Sequence, residues 1–114
     1  MNKKIGLILL MSTLLAGCAT NKNIYDWGDY EKTLFTVYHE PAAKEKALER
    51  YIKFVETRNQ RRPLAPGLFA EAGTFLLEQG DIEGAVEFYK LEHDAWPESR
   101  PMLATLIDNL EARK

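Results

Sequence analysis

The chain has 114 residues, of which 46% are hydrophobic and 28% are charged, a composition typical of one globular domain. The net charge of −2 makes nucleic acid an unfavourable partner, because proteins that bind its phosphates carry strongly basic surfaces. It also provides little attraction to anionic lipid headgroups. The single cysteine excludes an intramolecular disulfide.

The first residues carry the pattern of an export signal. Lys3 and Lys4 supply a basic start. Residues 5–15 form an apolar run that is too short to cross a bilayer, which takes about 20 apolar residues. Small residues then precede Cys18 in the tetrad Leu-Ala-Gly-Cys. An ordinary secretory signal beside an unrelated cysteine is the alternative interpretation.

The tetrad resembles the lipobox of bacterial lipoproteins. The resemblance implies a signal peptide at residues 1–17, covalent lipid (diacylglycerol and palmitate) on Cys18, and a tether through residue 28. One acyl chain binds a membrane only marginally, and each buried methylene contributes about 0.8 kcal/mol, so two or three chains would anchor the protein stably. Ala19, in place of the aspartate that favours inner-membrane retention in this class, implies the periplasmic face of the outer membrane.

The aromatic-rich residues 24–30 overlap the end of this tether. Their rings either pack under the first helix or lie against a partner or the membrane interface. Tyr and Trp are favoured at such interfaces, because the ring is apolar and its polar group can remain solvated. We expect packing, because large apolar side chains are more often inside a domain than outside it.

Residues 66–99 predict a helix, a two-residue turn and a second helix. Gly80 suits the left-handed position after a helix, and Asp81 suits the N-cap of the next one. Pro97 disfavours helix at Trp96 and should end the hairpin there. The apolar or small residues spaced three and four apart are Leu68, Phe69, Ala72, Gly73 and Leu76, then Ile82, Ala85, Val86 and Tyr89.

Three further helices are predicted around this hairpin. The first should run from an N-cap at Asp29 to about Glu40, and the second from Pro41 to about Gln60. The last should begin after an N-cap at Ser99, and the Arg- and Pro-rich residues between the second helix and the hairpin predict a loop. The expected buried residues are Tyr30, Leu34, Val37 and Tyr38, then Ala47, Leu48, Tyr51, Ile52, Phe54 and Val55, then Met102, Leu103, Leu106, Ile107 and Leu110.

The hairpin at residues 66–99 resembles a tetratricopeptide repeat, whose pattern recurs about every 34 residues. The matching residues are Phe69, Ala72, Gly73, Leu76, Gly80, Asp81, Ala85, Tyr89 and Pro97. Glu92 departs from the pattern, because alanine is common at that position. Ala47 and Tyr51 repeat Ala85 and Tyr89 at an offset of 38 residues. The resemblance implies an all-α array of about two and a half stacked hairpins at residues 29–114.

In tetratricopeptide proteins the first helix of each repeat lines a groove that holds a peptide or a partner helix. The corresponding groove candidates are Lys32, Thr36 and His39, then Ala70, Thr74, Leu77 and Glu78, then Ala104, Asp108 and Glu111. A stacked spacer without a groove ligand is the alternative, because so few repeats make only a shallow surface.

No sequence pattern indicates a reaction. The two histidines, His39 and His93, lack a second ligand at metal-binding spacing, and no nucleophile, phosphate-loop or dinucleotide motif is present. We therefore expect no enzyme, no metal and no cofactor other than the covalent lipid. The alternative is a small enzyme or a ligand or metal carrier that uses a pocket between helices.

Taken whole, the chain is similar to a family of small uncharacterised proteobacterial lipoproteins, a domain of unknown function. The likeness lies in residues 25–28 (Tyr-Asp-Trp-Gly), the Ala-x3-Tyr helix and the hairpin that ends at Trp96-Pro97. Members are often encoded beside a lipoprotein that resembles the curli secretion channel. The resemblance implies a non-enzymatic scaffold subunit of an envelope complex, with another lipoprotein as its partner.

Overall fold

The structure, a computed structural model, describes residues 23–57 and 61–113. Within them the chain forms five α-helices, which confirms the all-α prediction. The helices are α1 (Tyr30–His39), α2 (Lys44–Thr57), α3 (Leu68–Glu78), α4 (Ile82–Ala95) and α5 (Arg100–Glu111). Single turns of 3₁₀ helix, Pro41–Ala43 and Pro97–Ser99, precede α2 and α5.

Helices α3 and α4 form the predicted hairpin. Gly80 has φ +85°, the left-handed conformation that lets a chain leave a helix sharply. The carboxylate of Asp81 accepts a hydrogen bond from the Gly84 N–H at 2.9 Å and so caps the start of α4. Trp96 is extended before Pro97, as the steric effect of a proline on its predecessor predicts.

A small residue lets α3 and α4 approach closely. A Cβ atom added to Gly73 would lie 3.0 Å from the carbonyl oxygen of Ala85 and 3.0 Å from the ring of Tyr89. Ala85 itself is fully buried. The small residues of the repeat-like pattern therefore set the distance between these two helices.

Each helix packs on its neighbours in sequence, from α1 through α5. The first core cluster joins α1, α2, α3 and one residue of α4, and it comprises Val37, Ala47, Leu48, Tyr51, Val55, Leu64, Ala65, Leu68, Phe69, Ala72, Phe75 and Phe88. The second joins α4 and α5 and comprises Ala85, Val86, Tyr89, Leu103, Ile107 and Leu110. Helix α3 contributes buried residues to the first cluster, and its partly buried Ala70 and Leu77 pack against the second cluster. Such neighbour-by-neighbour packing is how repeat arrays bury faces that one hairpin leaves open.

Two residues predicted to be buried are exposed. Tyr38 is 72% exposed and Met102 is 67% exposed. In α1 the buried side is formed by Thr33, Thr36 and Val37, so the helix is rotated relative to the predicted stripe. The predicted buried side was displaced because the hydrophobic pattern counts only apolar residues, whereas two threonines of α1 are buried.

The first and last helices start where predicted but without the predicted side-chain caps, and the second starts three residues later than predicted. Asp29 and Ser99 occupy the residues before α1 and α5, but neither side chain accepts a capping hydrogen bond. Pro41 begins a 3₁₀ turn, and α2 starts three residues later. The predicted end of the second helix at Gln60, the signal at residues 1–17 and Cys18 lie outside the described residues.

The predicted loop before α3 contains core residues. Leu64 and Ala65 are buried, and the segment pairs with the aromatic-rich opening as an isolated parallel bridge. The Asp26 N–H donates to the carbonyl oxygen of Pro63 at 2.8 Å, and the Ala65 N–H donates to that of Asp26 at 3.1 Å. The edge of the Tyr25 ring contacts Trp96, with ring centres 5.5 Å apart. Tyr25 therefore packs within the domain, but the ring that it contacts is that of Trp96, which follows α4 and is not part of the first helix.

The described helices are all too short or too polar to cross a membrane.

Ala85→Asp should unfold the array, because it places a carboxylate between α3 and α4. We expect a loss of free energy of unfolding on the order of 3–5 kcal/mol, as for other uncompensated buried charges. Urea titration followed by circular dichroism measures it. The matched control is Ala104→Asp, an exposed site on α5, where we expect a change within about 0.5 kcal/mol. Equal stability of the two variants would contradict this packing.

Candidate interaction surface

The outer side of α1 carries exposed aromatic rings. Phe35 is 57% exposed, and the exposed Tyr38 lies beside it along the helix. The ring of His39 stacks on Phe35 with centres 4.5 Å apart, and its Nδ1–H donates to the Phe35 carbonyl oxygen at 3.0 Å. We define the α1 aromatic face as Glu31, Lys32, Phe35, Tyr38 and His39, all of which are exposed.

Helix geometry explains why these rings face solvent. An α-helix turns about 100° per residue, so Phe35 lies roughly opposite the buried side formed by Thr33, Thr36 and Val37. Lys32 and His39 flank Phe35 on one edge. Terminal helices of a repeat array normally have a polar outer side, because nothing covers it. The first helix here instead has a phenylalanine at the centre of its outer side.

The structure separates the ten groove candidates into three groups. Thr36 is buried and offers little surface to a partner. Ala70 and Leu77 are half-buried, because they pack against the second core cluster. The exposed candidates are Lys32, His39, Thr74, Glu78, Ala104, Asp108 and Glu111.

Some of the exposed candidates already have partners within the chain. The Thr74 hydroxyl lies 3.0 Å from the Tyr89 hydroxyl and also donates to the Ala70 carbonyl oxygen. The Glu111 carboxylate pairs with the Lys90 ammonium at 2.6 Å and raises the pKa of Lys90. Lys32 and His39 are the candidates that lie on the α1 aromatic face.

A buried carboxylate holds the start of α3. Glu92, from α4, is 1% exposed, and its Oε1 accepts a hydrogen bond from the Gly67 N–H at 2.7 Å. Its Oε2 is buried with no protein donor among the described atoms. The Tyr51 hydroxyl, from α2, donates to the Leu68 carbonyl oxygen at 2.9 Å. Side chains from α2 and α4 thus meet at the first residues of α3.

Burial raises the pKa of ionisable groups near the start of α3. It is the main cause of the raised pKa of Tyr51, and the charge of Glu71 adds to it. Burial is also the main cause of the raised pKa of Tyr30, and the charge of Glu71 adds to it. The pKa of Glu71 is raised mainly by burial and to a smaller extent by the charge of Glu78. The Tyr51 phenol therefore keeps its proton at neutral pH and remains a hydrogen-bond donor.

Open clefts lie beside the first turn of α1 and between α2 and α3. One, of about 220 Å³, lies between α1 and α2 and includes Lys32, Arg50 and Phe54. Another, of about 580 Å³, includes Trp27 and Lys32. A third, of about 400 Å³, lies between α2 and α3 and is lined in part by polar and charged side chains. They are shallow features of mixed charge.

Metal ligands do not cluster in the part of the chain that the structure describes, where no three His, Cys, Asp or Glu side chains are placed to hold an ion. His93 lies 3.1 Å from the Asp94 carboxylate at the end of α4. The aromatic rings of α1 are therefore the feature whose chemistry points most directly to a function, and that chemistry is contact with another apolar surface.

Sequence reasoning missed Phe35 and Glu92. A helical wheel places Phe35 opposite Val37, so the signal was present, but it requires knowing which side of α1 faces the core. Glu92 stood out because the repeat pattern favours alanine there. Its partner, a backbone N–H 25 residues earlier, becomes visible only in the fold.

The chain belongs to the family described as a domain of unknown function (DUF4810), which matches residues 24–108. The match begins in the aromatic-rich opening and ends within α5, so it includes the α1 aromatic face and Glu92. No curated protein and no solved structure is significantly similar to the chain.

Glu92→Ala should destabilise the fold, because the Gly67 N–H loses its side-chain acceptor. Removing one partner of a buried hydrogen bond costs about 1–3 kcal/mol, and we expect a loss of that size in urea titration. Glu92→Gln retains an acceptor oxygen and should be less destabilised. Glu87→Ala, at an exposed site on the same helix, is the matched control. A variant at Glu92 that is as stable as this control would rule out the proposed role.

Proposed function

We propose that this member of the DUF4810 family is a non-enzymatic, lipid-anchored scaffold subunit of a bacterial envelope complex. In this proposal it is a proteobacterial lipoprotein that carries diacylglycerol and palmitate on Cys18 and faces the periplasm from the outer membrane. Its helices act as a short tetratricopeptide-like array that binds another envelope protein. The partner is a second lipoprotein, for which the resemblance suggests one related to the curli secretion channel.

The observation that carries this proposal is the α1 aromatic face. Phe35 and Tyr38 expose large apolar surfaces at the end of the array, where no other described helix covers them. Burying such a side chain contributes about 1.5–3 kcal/mol relative to leaving it exposed. Aromatic residues are enriched among the contacts that dominate binding energy. An apolar surface on a partner protein would provide that burial.

The charges of this face favour a directional contact. Glu31 and Lys32 are adjacent, and His39 stacks on Phe35. Rings surrounded by charged groups of both signs are typical of an interface with an apolar centre and a polar rim. The face therefore suits a protein better than a nucleic acid, whose phosphates attract uniformly basic surfaces.

The lipid would act through local concentration. An anchor on Cys18 confines the helical domain to the membrane surface, where a partner anchored in the same membrane meets it at a raised effective concentration. A modest interface is then sufficient for a lasting complex. The export signal and the lipobox-like tetrad at residues 15–18 support this part of the proposal.

Photo-crosslinking in cells tests the protein contact. A photoreactive phenylalanine analogue at position 35 should yield one discrete protein adduct, whereas the same analogue at Asn109, exposed on α5, should not. Phe35→Glu should then abolish the adduct formed from position 38 while leaving the thermal melt unchanged, because the side chain is outside the core. An unchanged adduct from position 38 in this variant would contradict a contact centred on Phe35.

Cys18→Ser tests the anchor. We expect the lipid-modified mass to disappear from the chain and the domain to keep its helical circular dichroism spectrum, because residue 18 precedes all of the described helices. In membrane fractionation the variant should leave the membrane pellet for the soluble fraction, and the wild-type chain, which should stay in the pellet, is the control. A wild-type chain without lipid mass on Cys18 would overturn this part of the proposal.

A further inference from the structure

Two apolar side chains are exposed where the described chain begins. Ile24 is 71% exposed and Trp27 is 41% exposed, although Tyr25 between them packs on Trp96. The aromatic-rich opening is therefore divided: Tyr25 and Tyr30 pack against the core, whereas Ile24 and Trp27 are exposed, with the Trp27 ring centre 5.9 Å from that of Tyr30. The sequence left packing and membrane contact as alternatives for the whole segment, and the structure separates its residues between an inner and an outer side.

The backbone of this segment is fixed to the domain. Asp26 pairs with the chain on either side of Leu64 through its N–H and its carbonyl oxygen, and the Arg62 guanidinium donates to the Asn23 carbonyl oxygen at 3.3 Å. The Asp26 carboxylate accepts from the Gly28 N–H at 3.1 Å. Ile24 and Trp27 are thus presented by an ordered segment, so little conformational entropy is lost when they make a contact.

The position of this surface in the chain indicates what it touches. Five residues separate Cys18 from Ile24, so the chain takes six steps of at most about 3.6 Å each, which limits the distance to about 22 Å. A lipid on Cys18 would therefore hold Ile24 close to the headgroup layer. This step rests on the proposed lipid anchor.

We propose that Ile24 and Trp27 form a membrane-contact surface that inserts at the headgroup level of a zwitterionic phospholipid bilayer. Tryptophan is enriched at that depth, because its ring is apolar and its indole N–H remains able to meet water or headgroups. The side chain of Trp27 lines an open cleft with Lys32, Asp29 and Glu31, so the charges around it are mixed. Apolar insertion, rather than attraction to anionic lipid, supplies the binding energy.

This contact would orient the domain. A lipid on a flexible tether permits rotation, whereas a second contact at Ile24 and Trp27 fixes one end of α1 at the membrane. The α1 aromatic face lies on the same helix, and Phe35 is eight residues beyond Trp27. The partner-binding face would then have a constant height and direction relative to the bilayer.

Fluorescence quenching tests the inference, because the chain contains two tryptophans, Trp27 and Trp96. The full chain with its native lipid is reconstituted into phosphatidylethanolamine and phosphatidylcholine vesicles, with and without brominated acyl chains. In Trp96→Phe, where Trp27 is the sole tryptophan, we expect brominated lipid to remove most of the emission. In Trp27→Phe, the matched control, Trp96 lies against Tyr25 and should lose little.

If Trp96→Phe does not fold, the wild-type chain replaces it. The difference in quenching between the wild-type chain and Trp27→Phe then measures the quenching of Trp27. Ile24→Asp should reduce the quenching of Trp27. If the chain floats with the vesicles but brominated lipid leaves the emission of Trp27 unchanged, this inference is wrong and the lipid anchor is still supported. A chain that does not float would overturn the anchor and this inference together.

Discussion

The start of α3 is the point on which the arrangement of the helices depends. There Glu92 of α4 accepts from the Gly67 N–H, and Tyr51 of α2 donates to the Leu68 carbonyl oxygen. The preceding residues Leu64 and Ala65 are buried and pair with the opening segment. The N–H groups at the start of a helix lack partners within the helix, and Glu92 supplies an acceptor for the one at Gly67. The Tyr51 hydroxyl adds a donor to the carbonyl oxygen of Leu68, so side chains of α2 and α4 together hold the start of α3 in place.

Fixing α3 in this way determines which surfaces remain open. The α3–α4 hairpin is covered by α5 on one side and by α2 on the other. Helix α1 covers α2 and has its own outer side free, and the opening segment lies against the corner before α3. The exposed aromatic groups Phe35, Tyr38 and Trp27 consequently lie on the amino-terminal part of the domain, whereas the exposed side of α5 is mostly polar.

The sequence was sufficient where local stereochemistry decides the structure. The turn at Gly80 and Asp81 and the end of α4 before Pro97 depend on backbone preferences of single residues, and all were predicted. The rotation of α1 was not, because it depends on Thr33 and Thr36 packing against α2. Most of the candidate surface was therefore missed, although Lys32 and His39 were identified through the repeat resemblance.

Long-range polar contacts were equally hidden from the sequence. Nothing local indicates that the carboxylate of Glu92 is buried or that a loop rich in arginine and proline contributes Leu64 to the core. Both follow from the meeting of distant segments, and hydrophobic periodicity does not encode such contacts. Glu92 could be recognised from the sequence as a departure from the alanine that is common at that position, but its role could be explained only from the fold.

The parallel bridge at Asp26 has a mechanical consequence. A force applied to the amino-terminal end of the described chain reaches the hydrogen bonds from Asp26 to Pro63 and Ala65 before it reaches α1. Part of the load then passes into residues 63–65 before α3, so it is shared between two segments of the domain and is not borne by the first helix alone.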